Sequence, residues 1–336
     1  MLSITEAVPE KFRNVDRTQF IILTLDNLIW PILALVIIGF SFLLPEIFLT
    51  ANNLQFLIYS SAALGLIVLA EAVCLLSGHF DLSVGSVAGF SAMFTAMFMS
   101  EWIPSTPGWA GVLLILVVGG AIGLLNGLSI SLIGVNPFLQ TLAFFIIFRG
   151  GVILLSTYSI ADLPESYLYL GGGSFSGVPI AIFLVLGIYL VIGFWLKYFR
   201  SGQAIYAVGG DKMSAREAGI DTTRIVVMVY VFSGTLAALG GLLYTGFLGA
   251  ATPSLARNTV FPAFAAAVIG GVSLFGGRGN VIGALGGVLL LGTIQTGLVM
   301  LNVRPELVQM VNGFVLLFAI LLYTVVERLR TRALSE

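Results

Sequence analysis

Charge is what this sequence has least of. Only 9% of its 336 residues are charged and 58% are hydrophobic, whereas soluble domains carry about a quarter charged residues. A water-soluble globular protein is excluded. Histidine and cysteine occur once each, as His79 and Cys74. No internal disulfide and no histidine metal cluster can form, and Cys74 in its apolar setting reads as core. The three lysines, Lys11, Lys197 and Lys212, never follow a glycine, so a Walker phosphate loop is missing. H-E-x-x-H and G-x-S-x-G are missing too. The chain offers no catalytic residues and no metal ligands, and it cannot hydrolyse ATP by that route. A net charge of -1 gives no footprint for nucleic acid.

What the sequence does have is apolar runs of membrane length, roughly twenty residues each. Ten are expected to span a bilayer: 27-44, 55-77, 82-100, 109-133, 138-157, 178-196, 225-248, 258-276, 281-301 and 306-326. The expected fold is an all-α integral membrane protein of about ten transmembrane helices. Only Glu71 and Arg149 lie well inside a span, with Glu306 at the edge of the last; such avoidance follows from the cost of an ion in hydrocarbon. The weakest span is 258-276, with Arg257 at its edge, Pro262 and the Gly270-Gly271 pair. It reads equally as a broken or re-entrant helix.

With a cytoplasmic N-terminus, the basic residues divide 12 to 2 between inside and outside, Arg257 and Arg304 being the two outside. Both termini are therefore expected in the cytoplasm. The first apolar run follows a charged stretch and precedes nine more, so it is expected to be a retained helix rather than a signal peptide. The expected organisation is a tail over 1-26, a membrane domain over 27-326 and a tail over 327-336.

Two polar loops interrupt the apolar chain. Residues 158-177 lie outside, carry Gly171-Gly172-Gly173 and have no basic residue; 197-224 lie inside and hold five of the fifteen basic residues. Within the second, 214-220 reads as a short helix stopped by Gly219. Small residues recur every fourth position at Gly119, Gly123 and Gly127, at Ser233, Ala237, Gly241, Thr245 and Gly249, and at Gly283 and Gly287. Such faces permit close helix approach, inside one subunit or across a dimer interface. Leu125-Asn126-Gly127-Leu128 with Val135-Asn136-Pro137 is echoed by Gln295-Thr296-Gly297-Leu298 with Val303-Arg304-Pro305. Five spans apart, the copies would sit in opposite orientations, an inverted repeat; shared composition explains the echo equally well.

Asp81 precedes a glycine-containing apolar helix, so its carboxylate is expected chiefly to cap that first turn. Contact with substrate is the second reading, because transporters place ligand sites at interrupted helices. His79 reads as a hydrogen-bonded structural imidazole before a proton relay. Arg149 could face a cavity or snorkel outward, and Glu71 reads as a protonated or paired carboxyl among helices.

Taken together, these segments resemble one family. Gly78-His79-Phe80-Asp81-Leu82-Ser83-Val84-Gly85-Ser86, Asn136 to Leu142 with Arg149-Gly150, Ala207-Val208-Gly209-Gly210 through Ala215 to Ile220, and Ala265 to Leu274 with Gly276-Gly277-Arg278-Gly279 are similar to motifs of bacterial ABC importer permeases for monosaccharides, the ribose/xylose/galactose type. The resemblance runs from about 55 to 325. It implies an inner-membrane, multi-pass transport subunit with no cofactor of its own. ATP and magnesium would be held by separate ATPase subunits. An external solute-binding protein, periplasmic or lipid-anchored, and a second permease copy, identical or sister, would complete the assembly among membrane lipids. It implies ATPase coupling through Gly209, Gly210, Ala215, Arg216 and Gly219. Its substrate-path candidates are Asp81, His79, Asn136, Phe138 and Arg149. His79, Pro262 and Thr296 depart from the family pattern and bear on substrate identity. Branched-chain amino-acid permeases are distant relatives of similar architecture. A transporter driven by an ion gradient, with Glu71 or Asp81 carrying protons, is the reading from another class.

Overall fold

The computed structural model describes residues 27-335; the expected tail over 1-26 lies outside them. The apolar runs are helical because a backbone deprived of water must satisfy its own hydrogen bonds. In chain order the helices are α1 (Ile29–Leu43), α2 (Ala51–Leu76), α3 (Val84–Met97), α4 (Gly108–Leu128), α5 (Pro137–Leu155), α6 (Glu165–Gly172), α7 (Ile180–Tyr198), α8 (Arg200–Gly210), α9 (Lys212–Glu217), α10 (Thr222–Leu248), α11 (Val260–Ile269), α12 (Val281–Met300) and α13 (Pro305–Ser335). π-Helical turns extend α3 over Phe98–Trp102 and α4 over Ser129–Ile133.

Among the described residues, seven helices are long and apolar enough to cross a membrane: α2, α4 with its π turn, α5, α7, α10, α12 and α13. The protein is a multi-pass membrane protein. Helices α1, with 15 residues, and α11, with 10, are too short at 1.5 Å per residue for the roughly 30 Å hydrocarbon thickness. Helix α3 has 14 residues, and its π turn carries the helix on to Trp102, so 84-102 is continuously helical across nearly all of the expected span 82-100. The expectation of a broken element at 258-276 matches the observed α11. Pro262 sits in its first turn, where the missing N–H has no intrahelical partner to lose, and the helix stops at Gly270. Helix α13 runs on through residues 327-335, which were expected as a separate tail.

Helices α2 and α10 form the centre. Helix α10 packs on α4 and α3, whereas α2 packs on α12 and α11; α5 covers α3 and α13 covers α11. The first turns of α3 and α11 touch. A Cβ on Gly85 in α3 would meet Thr259 Oγ1 at 2.8 Å and the Ala256 carbonyl at 2.9 Å, just ahead of α11. Helices α5 and α13 leave most of their own surface exposed.

The small-residue stripes are consumed within the chain. Gly119, Gly123 and Gly127 lie against Gly234, Tyr230 and Val227 of α10; Gly241 meets Ala88 of α3; Gly283 and Gly287 meet Gly270 and Ala266. These faces close one subunit and are not free to pair two. The polar loop 158-177 holds more structure than its sequence suggested. Helix α6 seats Gly171 and Gly172 on α10 at Leu243 and Gly246. A hairpin then pairs β1 (Ser174–Phe175) with β2 (Val178–Pro179). Its corner, Ser176 and Gly177, has φ of 50° and 79°, the signature of a type I′ turn. Gln55 Nε2 donates to the Gly177 carbonyl at 2.7 Å, tying the hairpin to the start of α2.

Candidate functional site

Two constructions occupy the end of the bundle where α2 stops and α3 begins. The first is a buried polar cluster where α3 begins. Asp81 is buried. Its Oδ1 accepts from the Ser83 backbone N–H at 3.0 Å and from the Ser83 hydroxyl, and its Oδ2 accepts from the Ser233 hydroxyl of α10 at 2.8 Å. Asn126 Nδ2 of α4 donates to Ser83 Oγ at 3.1 Å, and the Tyr230 hydroxyl donates to the Phe80 carbonyl at 2.8 Å. The segment is thereby fastened to two helices. The expected capping of the first turn is not made: Asp81 closes a turn onto the Ser83 N–H, ahead of the helix that starts at Val84, and spends its second oxygen on Ser233.

His79 is buried, its Nδ1 stands 2.8 Å from the Ser77 carbonyl oxygen, and its ring meets Tyr230 edge-on at 6.1 Å between centroids. That is the hydrogen-bonded structural imidazole. Glu71 is buried one turn before the end of α2, and neither carboxylate oxygen has a hydrogen-bond partner. Among the described residues the ion pairs are Arg224 with Asp221 and Arg278 with Glu327, so no cation neutralises Glu71 or Asp81.

The second construction is a glycine junction below this cluster. Gly78 and Gly276 adopt φ of 76° and 86°, values open to glycine. Gly209, near the end of α8, is buried, and a Cβ there would overlap the Leu76 carbonyl oxygen and stand 2.6 Å from the Gly277 nitrogen. The Gly277 N–H donates to that Leu76 carbonyl at 2.9 Å, and the Tyr206 hydroxyl donates to Gly279 O at 3.2 Å. Three sequence motifs, around 78, 209 and 277, therefore meet in one contact.

From the junction the chain passes into α9. Asp211 caps it, accepting from the Ser214 N–H at 2.6 Å. Its carboxyl is held below the usual range by the Ser214 hydroxyl and then by that N–H. At the far end Ile220 N donates to Ala215 O and Gly219 N to Arg216 O, with Gly219 at φ 84°. This is a Schellman stop, as the sequence anticipated. Ala215 is buried; Gly210, Arg216 and Gly219 are exposed, and nothing stands within 4 Å of a Cβ built on Gly210 or Gly219.

The remaining substrate-path candidates do not join the Asp81 cluster. Asn136 is the N-cap of α5, its Oδ1 accepting from Phe138 N at 3.0 Å and Leu139 N at 3.4 Å, with Pro137 in the first position. Phe138 is exposed. Arg149 stacks over Phe145, 5.8 Å from the ring centroid, and shares a small cavity with Gly85, Ser86 and Arg257 at the start of α3. Asn126 and Ser233 were not singled out as site residues. The available signal was a carboxamide and a hydroxyl inside apolar helices, where unpaired polar groups are expensive.

Residues 53–320 match the model of a family described as the permease component of the branched-chain amino acid transport system. The chain belongs to this permease family. The permease is 34% identical over 298 residues to the D-allose transport system permease protein AlsC of Escherichia coli, covering 88% of this chain and 91% of that one. It is also 34% identical to the ribose import permease protein RbsC of Bacillus subtilis, over 86% of this chain and 90% of that one. With the autoinducer 2 import system permease protein LsrD of Yersinia pestis it shares 28% identity over 306 residues, 85% of this chain and 90% of the relative. No solved structure matches the chain.

Proposed function

We propose that the chain is the membrane subunit of an ATP-driven ABC importer that moves a monosaccharide across the inner membrane. The sugar relatives favour this substrate class over a branched-chain amino acid. ATP and magnesium belong to a partner ATPase docked on the inner face, a solute-binding protein delivers the sugar outside, and a second permease completes the channel. With both termini inside, α9 and the glycine junction lie on the cytoplasmic side.

The observation that carries this reading is the seat of Gly209 on the end of α2. A force applied to α9 reaches the Leu76 carbonyl and Gly277 through backbone contact, with no flexible side chain between. From Leu76 it enters the 77-83 segment that holds Asp81 and starts α3. Asp81, His79 and Arg149 then act as positioning groups for the moving α3, Asn136 fixes the entry of α5, and Phe138 faces its surroundings. The crosswise packing, α10 on α3 and α4 against α2 on α11 and α12, supports an inverted repeat of spans one to five and six to ten.

Uptake by proteoliposomes holding the assembled complex tests the reading. Labelled sugar should accumulate with internal ATP while ionophores collapse all ion gradients. Accumulation by the purified chain alone, driven by a proton gradient, would sink it.

A further inference from the structure

At the end of the bundle opposite the glycine junction lies a cavity of about 650 Å³ between α10, α12, the start of α13 and the segment 252-259, inside the roughly 300–1,000 Å³ range of small-molecule sites. Its polar lining is concentrated in six side chains: Arg257, Asn258, Gln295, Glu306, Gln309 and Asn312. Glu306, Gln309 and Asn312 recur every third residue, so they form one stripe along the first two turns of α13. Asn312 lies about 10 Å along that helix and Gln295 about 8 Å from the end of α12, so the polar surface descends into the membrane zone. Polar groups at such depth are costly and mark solute paths by default.

None of these six side chains hydrogen-bonds or ion-pairs with another described residue, and Asn312 Oδ1 is buried without a partner. Arg257, Asn258, Glu306 and Gln309 are exposed to the cavity mouth, whereas Gln295 and Asn312 are half-buried deeper in it, and the Asn312 oxygen is the one that burial leaves in need of a partner. Four carboxamides offer paired donors and acceptors, which suits hydroxyl groups that both give and accept. One guanidinium and one carboxylate leave the lining with no formal net charge. Tyr244 and Phe247 supply an aromatic surface for the C–H face of a ring. Arg257 also borders the small cavity at Gly85 and Arg149, so one side chain lies between the chamber and the meeting point of α3 and α11.

We propose that this outer cavity is the permease's own binding station for a neutral polyhydroxylated solute, read chiefly by Gln295, Gln309 and Asn312 before α3 and α11 part. The inference rests on the monosaccharide reading and names where in the chain the sugar is held.

Two measurements test it in the assembled complex. The first is sugar transported per ATP hydrolysed, using radiolabelled D-ribose and D-allose, for Gln309→Leu and Asn312→Leu, apolar changes that α13 can carry into a membrane. The ratio should fall at least ten-fold, and the preference between the two sugars should change. The second guards against misfolding: Gln309→Cys should react with an external impermeant thiol reagent, since Cys74 is buried. Free sugar should slow that reaction several-fold relative to glycine betaine at equal osmolarity. An unaltered transport ratio with no protection overturns the proposal while leaving the importer reading intact. Protection by L-leucine but not by sugar overturns the proposed chemistry. Failure of the unaltered complex to transport any sugar overturns both.

Discussion

Asp81 is a residue whose surroundings decide its work. Its carboxylate takes three hydrogen bonds, from Ser83 twice and from Ser233. Asp81→Ala would strand those donors in the interior at about 1–3 kcal/mol each. The thermal unfolding midpoint in detergent should drop sharply, and Ser233→Ala, which removes one donor, should lower it less. Equal midpoints for the two variants would contradict the cluster. Asp211 makes a gentler case. Its carboxyl is depressed in the folded state, so the cap of α9 is stabilised above the ordinary carboxylate pKa of about 4 and loses that support as pH falls through the depressed value. Amide-exchange protection over 212-217, corrected for intrinsic rates, should be level from neutrality to about pH 5 and fall below about pH 4. Asp211→Asn should remove most of this pH dependence. The sequence foretold a short helix here and its stop at Gly219, because helix-forming residues and a terminal glycine act within one turn, but not the Asp211 cap or the start at Lys212. It did not reveal Asp81's partners: Ser233 lies 152 residues away and nothing local in the chain links the two.

Among elements, the contrast between adjacent glycines is the sharpest. Gly209 is pressed on the Leu76 carbonyl, and Gly210 opens onto empty space. Gly209→Ala should cost about 1–3 kcal/mol through overpacking and uncouple ATPase stimulation by the binding protein. Gly210→Ala should stay within about 0.5 kcal/mol of the unaltered chain and keep coupling. Comparable ATPase stimulation in both variants would refute the junction's role. The segment 258-276 shows where composition alone misleads: it is as apolar as a full span, yet its helix stops after 10 residues at Gly270. Hydropathy registers greasiness, whereas the Gly270-Gly271 pair and Pro262 are what point to a break.

At the scale of the whole molecule, the loops sort to two ends. Ile160 bridges to Ala251 and Gln55 binds Gly177 at one end, while Gly78, Gly209 and Gly277 gather at the other. If both termini are cytoplasmic, Phe175→Cys on the hairpin should react with an impermeant thiol reagent in intact cells, and Met213→Cys on α9 only after the membrane is opened. The reverse pattern would invert the topology. The distribution of lysine and arginine is what predicts this orientation, because insertion responds to short-loop charge. The outer cavity was invisible by comparison: Gln295 and Gln309 look incidental until α12 and α13 stand side by side.

The brevity of α11 also matters to the growing chain. Ten residues span about 15 Å, too little for the segment to partition into lipid by itself as it leaves the ribosome. The length of α11 predicts that it waits until α12 emerges and enters with it as a hairpin, with Gly270 seated on Gly283 as in the folded chain. A nascent polypeptide stalled with 260-269 clear of the ribosome but α12 still inside it should keep that stretch accessible to protease, and one stalled with α12 clear as well should shield it.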